Sequence, residues 1–257
     1  MPSVKAQVYL DPRPAEYFSR FHERTRRRGP GLVYDLIRIV LTPVVAIPFR
    51  ARVIDADRIP AQGAAIIAPN HFSYMDHFFA AVFLRRKVTF MGKSQLFKGP
   101  MQWVYSFGGV FPVRRGQRDE EAFRTARAVL RRGELVLMYG EGGRARRERL
   151  GRPRAGLGRL ALETGVPVVP TAIVGSQGVR NWTRLRFPKV TVHYGEPISF
   201  ERVEAPSRRQ AQAASEAVFR QIEALYGELE RGGRRRAVEA ARAARRPRLG
   251  KRRTRLT

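Results

Sequence analysis

From Phe49 onward the chain alternates short apolar runs with amphipathic stretches. The runs Ala64–Ala68, Val88–Met91, Val110–Val113, Leu135–Tyr139, Val168–Val174 and Lys189–Tyr194 are bounded by Gly, Pro or Asn and predict strands. Between them, helical spacing predicts helices over Asp76–Arg86, Leu96–Ser106, Asp119–Arg131, Ala155–Thr164 and Ser207–Glu230. Strand followed by helix, repeated, predicts an α/β fold with a mostly parallel, partly mixed sheet flanked by helices. In the last helix Val218, Ile222, Leu225 and Leu229 form one apolar stripe, and Gly232-Gly233 then breaks it.

The segment Leu32 to Phe49 has a different pattern. It is mostly Leu, Val and Ile but contains Asp35, Arg38, Pro43 and Pro48. An unbroken helix of that length reaches only about 27 Å, against a hydrocarbon core of roughly 30 Å. The pattern predicts one or two short helices lying in a membrane interface and bent near Pro43. Tyr17, Phe18 and Phe21 would add apolar wedges, and Arg24 to Arg28 phosphate-binding cations. The chain thus divides into a membrane-associating helical segment (1–49), a folded domain (50–230) and a basic tail (231–257).

Composition narrows the class. With 257 residues and 43% hydrophobic content the chain can bury a core, so wholesale disorder is excluded. The absence of Cys removes disulfides, thiolate nucleophiles and Cys-ligated zinc. The 50 Lys and Arg outnumber the 22 Asp and Glu to give +28, which predicts a polyanionic partner: nucleic acid or an anionic membrane. The charge lies in short clusters, Arg26–Arg28, Arg85–Lys87 and Arg144–Arg149, and in the tail. Met1 to Leu10 has neither a long apolar run nor a cleavage-site pattern, so the chain is expected to remain in the cytoplasm.

The densest chemistry lies in Ala64-Ala-Ile-Ile-Ala-Pro-Asn-His-Phe-Ser-Tyr-Met-Asp76. An apolar strand runs into Pro69 and a polar cluster, Asn70, His71 and Ser73, before Asp76 opens a helix. On a continuous helix His71 and Asp76 would face apart by about 140°. Across a strand-to-helix bend they can meet, and Asp76 can then hold one imidazole nitrogen while the other serves as a base. The other reading is a capping Asp beside a structural His. No nucleophile accompanies the pair, since Gly175-Ser176-Gln177-Gly178 lacks nucleophile-elbow spacing, so such a base would activate a substrate hydroxyl. Only four His occur, His22, His71, His77 and His193; His71 and His77 have no further ligand cluster nearby, and no metal or cofactor is expected. Two strand ends supply arginine: Phe111-Pro-Val-Arg114-Arg115, and Tyr139-Gly-Glu141-Gly142-Gly143-Arg144 with its glycine-rich turn. Guanidiniums and exposed backbone N–H groups suit a phosphate.

In order, Asn70-His71-x-x-x-x-Asp76, Phe111-Pro-Val-Arg114, Glu141-Gly-Gly-Arg144 and Val166-Pro-Val-Val-Pro170 resemble the four motifs of the glycerolipid acyltransferases, in particular the 1-acylglycerol-3-phosphate acyltransferases, over roughly residues 50–200. Lys93-Ser-Gln-Leu96 resembles a further Lys-x-Glu-Leu element. The resemblance implies the glycerolipid acyltransferase fold for residues 50–230. It also implies direct acyl transfer from acyl-CoA or acyl carrier protein to a lysophospholipid hydroxyl, with His71 as base and Asp76 orienting it. Asn70, Ser73, Lys93, Arg114, Glu141, Gly142, Gly143 and Arg144 would form the substrate-binding set, with Lys93, Arg114 and Arg144 on the phosphate. Val166–Pro170 would shape the acyl side. Gly140 and Gly143 stand where the family has Pro and Thr, and Val113 where it has an acid, which leaves the acceptor open: 1-acyl-sn-glycerol 3-phosphate, or another lysolipid. The resemblance favours a protein at the cytoplasmic face of an anionic membrane, peripheral or monotopic, over a nucleic-acid binder or an inactive membrane scaffold.

Overall fold

The computed structural model describes residues 10–145, 149–179 and 187–245. Residues 146–148 of the Arg144–Arg149 cluster and the tail beyond 245 lie outside them.

Seven strands form one sheet: β1 (Arg52–Ile54), β2 (Ala65–Pro69), β3 (Val88–Lys93), β4 (Val110–Val113), β5 (Leu135–Leu137), β6 (Val168–Val174) and β7 (Thr191–Tyr194), in the order β1-β7-β6-β2-β5-β3-β4. The five strands from β6 to β4 are mutually parallel, whereas β7 pairs antiparallel with β6 and carries β1 in its own direction. The sheet is therefore mostly parallel and mixed at one edge. Strand alternation divides the apolar side chains between two faces. Ala65, Ile67, Leu135 and Leu137 join Val45, Phe49 and Phe79–Leu84 on one side. Ile66, Ala68, Val136 and Val168 join the helices α5 (Glu120–Arg131), α6 (Ala155–Thr164) and α7 (Arg208–Arg245) on the other.

Local signals set the helix ends. The Asp119 carboxylate accepts the Ala122 N–H at 3.1 Å and caps α5, while Gly165, at φ 66°, ends α6 in a left-handed turn. The predicted helix over Asp76–Arg86 shortens to α3 (Asp76–Phe79) followed by turns. Phe79, Ala80, Ala81, Val82 and Leu84 are all buried, and so nearly continuous a buried run cannot lie on one face of a helix. The predicted Leu96–Ser106 helix starts later, as α4 (Met101–Phe107), because Gly99 takes φ 56° ahead of Pro100. The three-residue edge strand β1 was not predicted; it is too short to show a period.

The N-terminal segment forms α1 (Glu16–Arg27) and α2 (Leu32–Ala46), which meet at 89°. Among the described residues no single helix is long and apolar enough to cross a membrane. The expectation for Phe18 and Phe21 is corrected: both are buried against Phe97 and serve as core rather than as membrane wedges. The α1 cations are also engaged, with Arg24 on the Ser106 carbonyl and Arg26 paired with Glu121. In α2, however, Leu32, Leu36, Ile39, Val40 and Val44 stay exposed, and Ile47 continues the stripe. Pro43 sits inside α2, near its C-terminal end.

At the other end, Gly233 breaks α7 with φ 68° and ψ 165°. The chain does not leave the domain there. It continues helically to Arg245, and Ala237, Val238 and Ala241 pack beside Ile54, Tyr226 and Leu229.

Candidate active site

Strands β2, β3, β4 and β5 run parallel, so the residues that follow them gather at one end of the sheet. There they line a cavity of about 650 Å³. His71 comes from the turn after β2, Lys93 from the end of β3, Arg115 from beyond β4, and Tyr139 and Arg144 from beyond β5. Phe78, Phe90, Met91, Leu96, Tyr105 and Leu137 supply apolar wall, so one space offers both a hydrocarbon-compatible surface and a cationic one.

The bend after Pro69 brings the expected pair together. His71 Nδ1 lies 2.9 Å from Asp76 Oδ2, and the same oxygen accepts the backbone N–H groups of Phe72 and Ser73, each at 2.7 Å. A carboxylate accepting this many bonds requires the Nδ1 proton to point at it, which leaves the Nε2 lone pair for a substrate. Asp76 is fully buried and His71 almost so. Burial holds the imidazole below its usual range; Asp76 opposes that shift, and the Arg115 and Arg144 charges reinforce it. The ring is therefore a neutral base near pH 7. Tyr139 stacks on it, ring centroids 3.8 Å apart and planes 14° from parallel.

Glu141 clamps the turn from behind. One carboxyl oxygen accepts the His71 N–H at 3.0 Å, the other the Gly151 N–H at 3.2 Å. Burial pushes its pKa up to about 7, against the lowering effect of those two bonds. On the cavity side, Lys93 is held below its ordinary range by burial and by the charges of Arg144, Arg115 and Lys98. Cations gathered on one cavity wall have the chemistry that suits an anion.

The remaining expected binding residues have other duties. Arg114 is corrected in favour of its neighbour Arg115: its backbone N–H goes to Asp119 at 2.6 Å, and its side chain meets the Gln117 amide oxygen at 2.7 Å once that amide is turned to satisfy both groups. Asn70 is spent on the sheet, donating to the Ile173 carbonyl at 3.0 Å and accepting its N–H at 2.7 Å. Ser73 braces the dyad, its Oγ accepting the Met75 N–H at 3.2 Å. Gly142 adopts φ 70°, and a Cβ there would lie 2.9 Å from the Arg154 side chain, so turn geometry explains this glycine; neither it nor Gly143 lines the cavity. Gly140 faces Leu157 and Phe219, which puts that departure from the motif on the core side. Val166–Pro170 does not reach the cavity: Val168 and Val169 are buried in β6. Arg115 and Tyr139 are among the cavity residues absent from the binding set that the sequence implied. Arg115 is the second of an adjacent pair, and only the path of the chain beyond β4 chooses between them. Tyr139 is visible as the aromatic before Gly140, but its stacking partner His71 lies in the turn after another strand.

The part of the chain that forms β1 to β6 and this cavity is similar to known acyltransferases. Residues 50–174, just under half of the chain, match the family model described as Acyltransferase. The chain is 29% identical over 133 residues to the chloroplastic 1-acyl-sn-glycerol-3-phosphate acyltransferase of Arabidopsis thaliana, covering 48% of this chain and 37% of that protein. To the 1-acyl-sn-glycerol-3-phosphate acyltransferase of Bacillus subtilis it is 24% identical over 204 residues, covering 77% of this chain and 99% of that one. The chain spans only 37% and 33% of the lengths of the Arabidopsis and Brassica napus relatives. The crystal structure of the 1-acyl-sn-glycerophosphate acyltransferase PlsC from Thermotoga maritima superposes with a TM-score of 0.55 at 23% identity, covering 81% of this chain and 88% of that one, a likeness of fold.

Proposed function

We propose that this protein is a 1-acyl-sn-glycerol-3-phosphate acyltransferase that works at the cytoplasmic face of an anionic membrane, peripherally or monotopically. Its acyl donor would be acyl-CoA or acyl carrier protein, its acceptor a lysophosphatidate, and its product phosphatidic acid. The observation that carries this reading is the His71–Asp76 pair on a cavity shared by apolar wall and the cations Lys93, Arg115 and Arg144.

In this reading His71 Nε2 takes the proton of the acceptor hydroxyl as that oxygen attacks the thioester carbonyl carbon. The tetrahedral intermediate collapses to an ester and expels the thiolate, which recovers the proton from the imidazolium. Asp76 stabilises the imidazolium in between. Lys93, Arg115 and Arg144 hold the acceptor phosphate. The exposed apolar stripe of α2, with Trp103, Val104 and Phe107 also exposed on the neighbouring α4, supports a bilayer as the place where the acceptor is collected.

The test is an assay of purified protein with labelled acyl-CoA and acyl carrier protein against several lysolipids. Lysophosphatidate should be the preferred acceptor, and His71→Ala should lower kcat by about a hundredfold or more with the circular-dichroism spectrum unchanged. Preference for an acceptor without a phosphomonoester would assign the cavity to another lysolipid. Full turnover by the variant would remove His71 from the chemistry.

A further inference from the structure

A second cationic cavity lies at the opposite lateral edge of the sheet. It is a cleft of about 1090 Å³ between the end of α2, the edge formed by β1 and β7, and the part of α7 beyond Gly233. Its lining includes Arg50, Arg52, Lys189, Arg234, Arg235 and Arg242, with Glu239 as the one carboxylate among the described residues. Glu239 pairs with Arg235 at 3.3 Å, and the described lining as a whole carries more positive than negative side chains. No residue is shared with the cavity around His71.

The cleft is built by the break in α7. Any residue with a Cβ is strained at φ 68°, so Gly233 lets the chain turn and lay Arg234 on the sheet edge. There Arg234 donates from Nε to Thr191 Oγ1 at 2.8 Å, from Nη1 to the Arg50 carbonyl at 2.6 Å, and from Nη2 to the Val190 carbonyl at 2.8 Å. Arg234 is thereby a fixed floor rather than a solvated surface charge. Its burial, reinforced by the Arg52 and Arg50 charges, holds it below the ordinary arginine range.

Two features orient the cleft. Since β7 runs antiparallel to β6, its first residue Thr191 pairs with Val174 at the C-terminal end of β6. The cleft therefore opens at the same end of the sheet as the loops carrying His71, Lys93 and Arg115. Its wall also includes Ala46 and Ile47, and Ile47 is the last member of the exposed apolar stripe of α2. An apolar stripe that runs into a basic cleft matches an amphiphile whose acyl chains end in an anionic headgroup.

We infer that this cleft is a second binding site, separate from the reaction cavity, for the phosphate headgroup of an anionic membrane lipid, anchoring the sheet edge to the bilayer. The inference rests on the proposed work at an anionic membrane. Its test reads binding without turnover, using the whole chain and phosphatidylcholine vesicles with and without phosphatidate. The triple variant Arg52→Gln, Lys189→Gln, Arg242→Gln spares the Arg234 floor. It should bind phosphatidate vesicles about a hundredfold more weakly than the parent. An equal change of charge elsewhere, Arg124→Gln, Arg208→Gln, Arg209→Gln, should weaken binding by less than about tenfold. Equal losses in the two variants would make the attraction a diffuse property of the basic body and overturn the site. Inorganic phosphate titrated calorimetrically separates the two sources of the anion. Binding that disappears in the cleft variant while vesicle binding is unchanged would make this a site for free phosphate and overturn the lipid assignment. Failure of the parent to bind vesicles at all would instead remove the membrane reading, and acyl transfer to detergent-dispersed acceptor, measured alongside, reports separately on the catalytic reading.

Discussion

Glu141 shows how a single side chain ties chemistry to stability. It carries no group to the cavity, yet it holds the His71 backbone through its N–H. Burial raises its pKa from 4.5 to about 7. In an acid the raised value means that the folded state binds the proton more tightly than the unfolded one. The carboxyl therefore costs nothing well below pH 4.5, and its burden grows as pH rises from about 4.5 to about 7, then levels off. Glu141→Gln keeps the shape and cannot ionise. The difference in unfolding free energy between parent and variant should shift against the parent across that window, by roughly 3 kcal/mol at most, measured by denaturant titration at several pH values. A pH-independent difference would mean that the carboxyl is not desolvated as described. At this scale the sequence reveals residue types and their neighbours. His71, Asp76 and Lys93 were legible because motif spacing and a strand end mark them. Arg114 against Arg115 was not, because adjacent residues differ only in direction, and that is set by the path of the chain beyond β4.

Among the elements, the contact between α6 and α7 is the most demanding. Gly158 lets the two helices approach until a Cβ at that position would stand 2.0 Å from the Ala211 carbonyl oxygen and 2.6 Å from the Ser215 nitrogen. The Gly158 N–H donates to Ser215 Oγ at 2.7 Å, and that hydroxyl donates to the Arg154 carbonyl at 2.8 Å. Backbone cannot give way as a flexible side chain can. Gly158→Ala should therefore cost about 1–3 kcal/mol and lower Tm by roughly 5–10 °C, readable in a thermal melt; an unchanged Tm would show that the helices can separate freely. The bounds of α6 and the stripe on α7 were visible in the sequence because both follow the 3.6-residue period. The shortening of α3 was not, since an apolar run buried on all sides has no period to read.

For the whole molecule, the exposed apolar stripe of α2 is the feature with no partner among the described residues. Leu36, Val40 and Val44 are 63%, 55% and 49% exposed. Replacing all three with Ser removes apolar surface without opening a cavity, so the fold should persist. Sedimentation with anionic vesicles should fall by about a hundredfold or more, while acyl transfer to detergent-dispersed acceptor continues. Unchanged sedimentation would show that this stripe carries no vesicle binding. The sequence by itself determined the α/β alternation, the His–Asp spacing, the excess of positive charge and the family resemblance, because periodicity, motif and composition are properties of neighbours along the chain. Only the tertiary structure decided that Phe18 and Phe21 are core, that Asn70 is a latch to β6, that Arg115 faces the cavity, and that the chain beyond Gly233 returns to close a basic cleft. Each of these depends on which distant backbone lies opposite a side chain, a distance that sequence order does not encode.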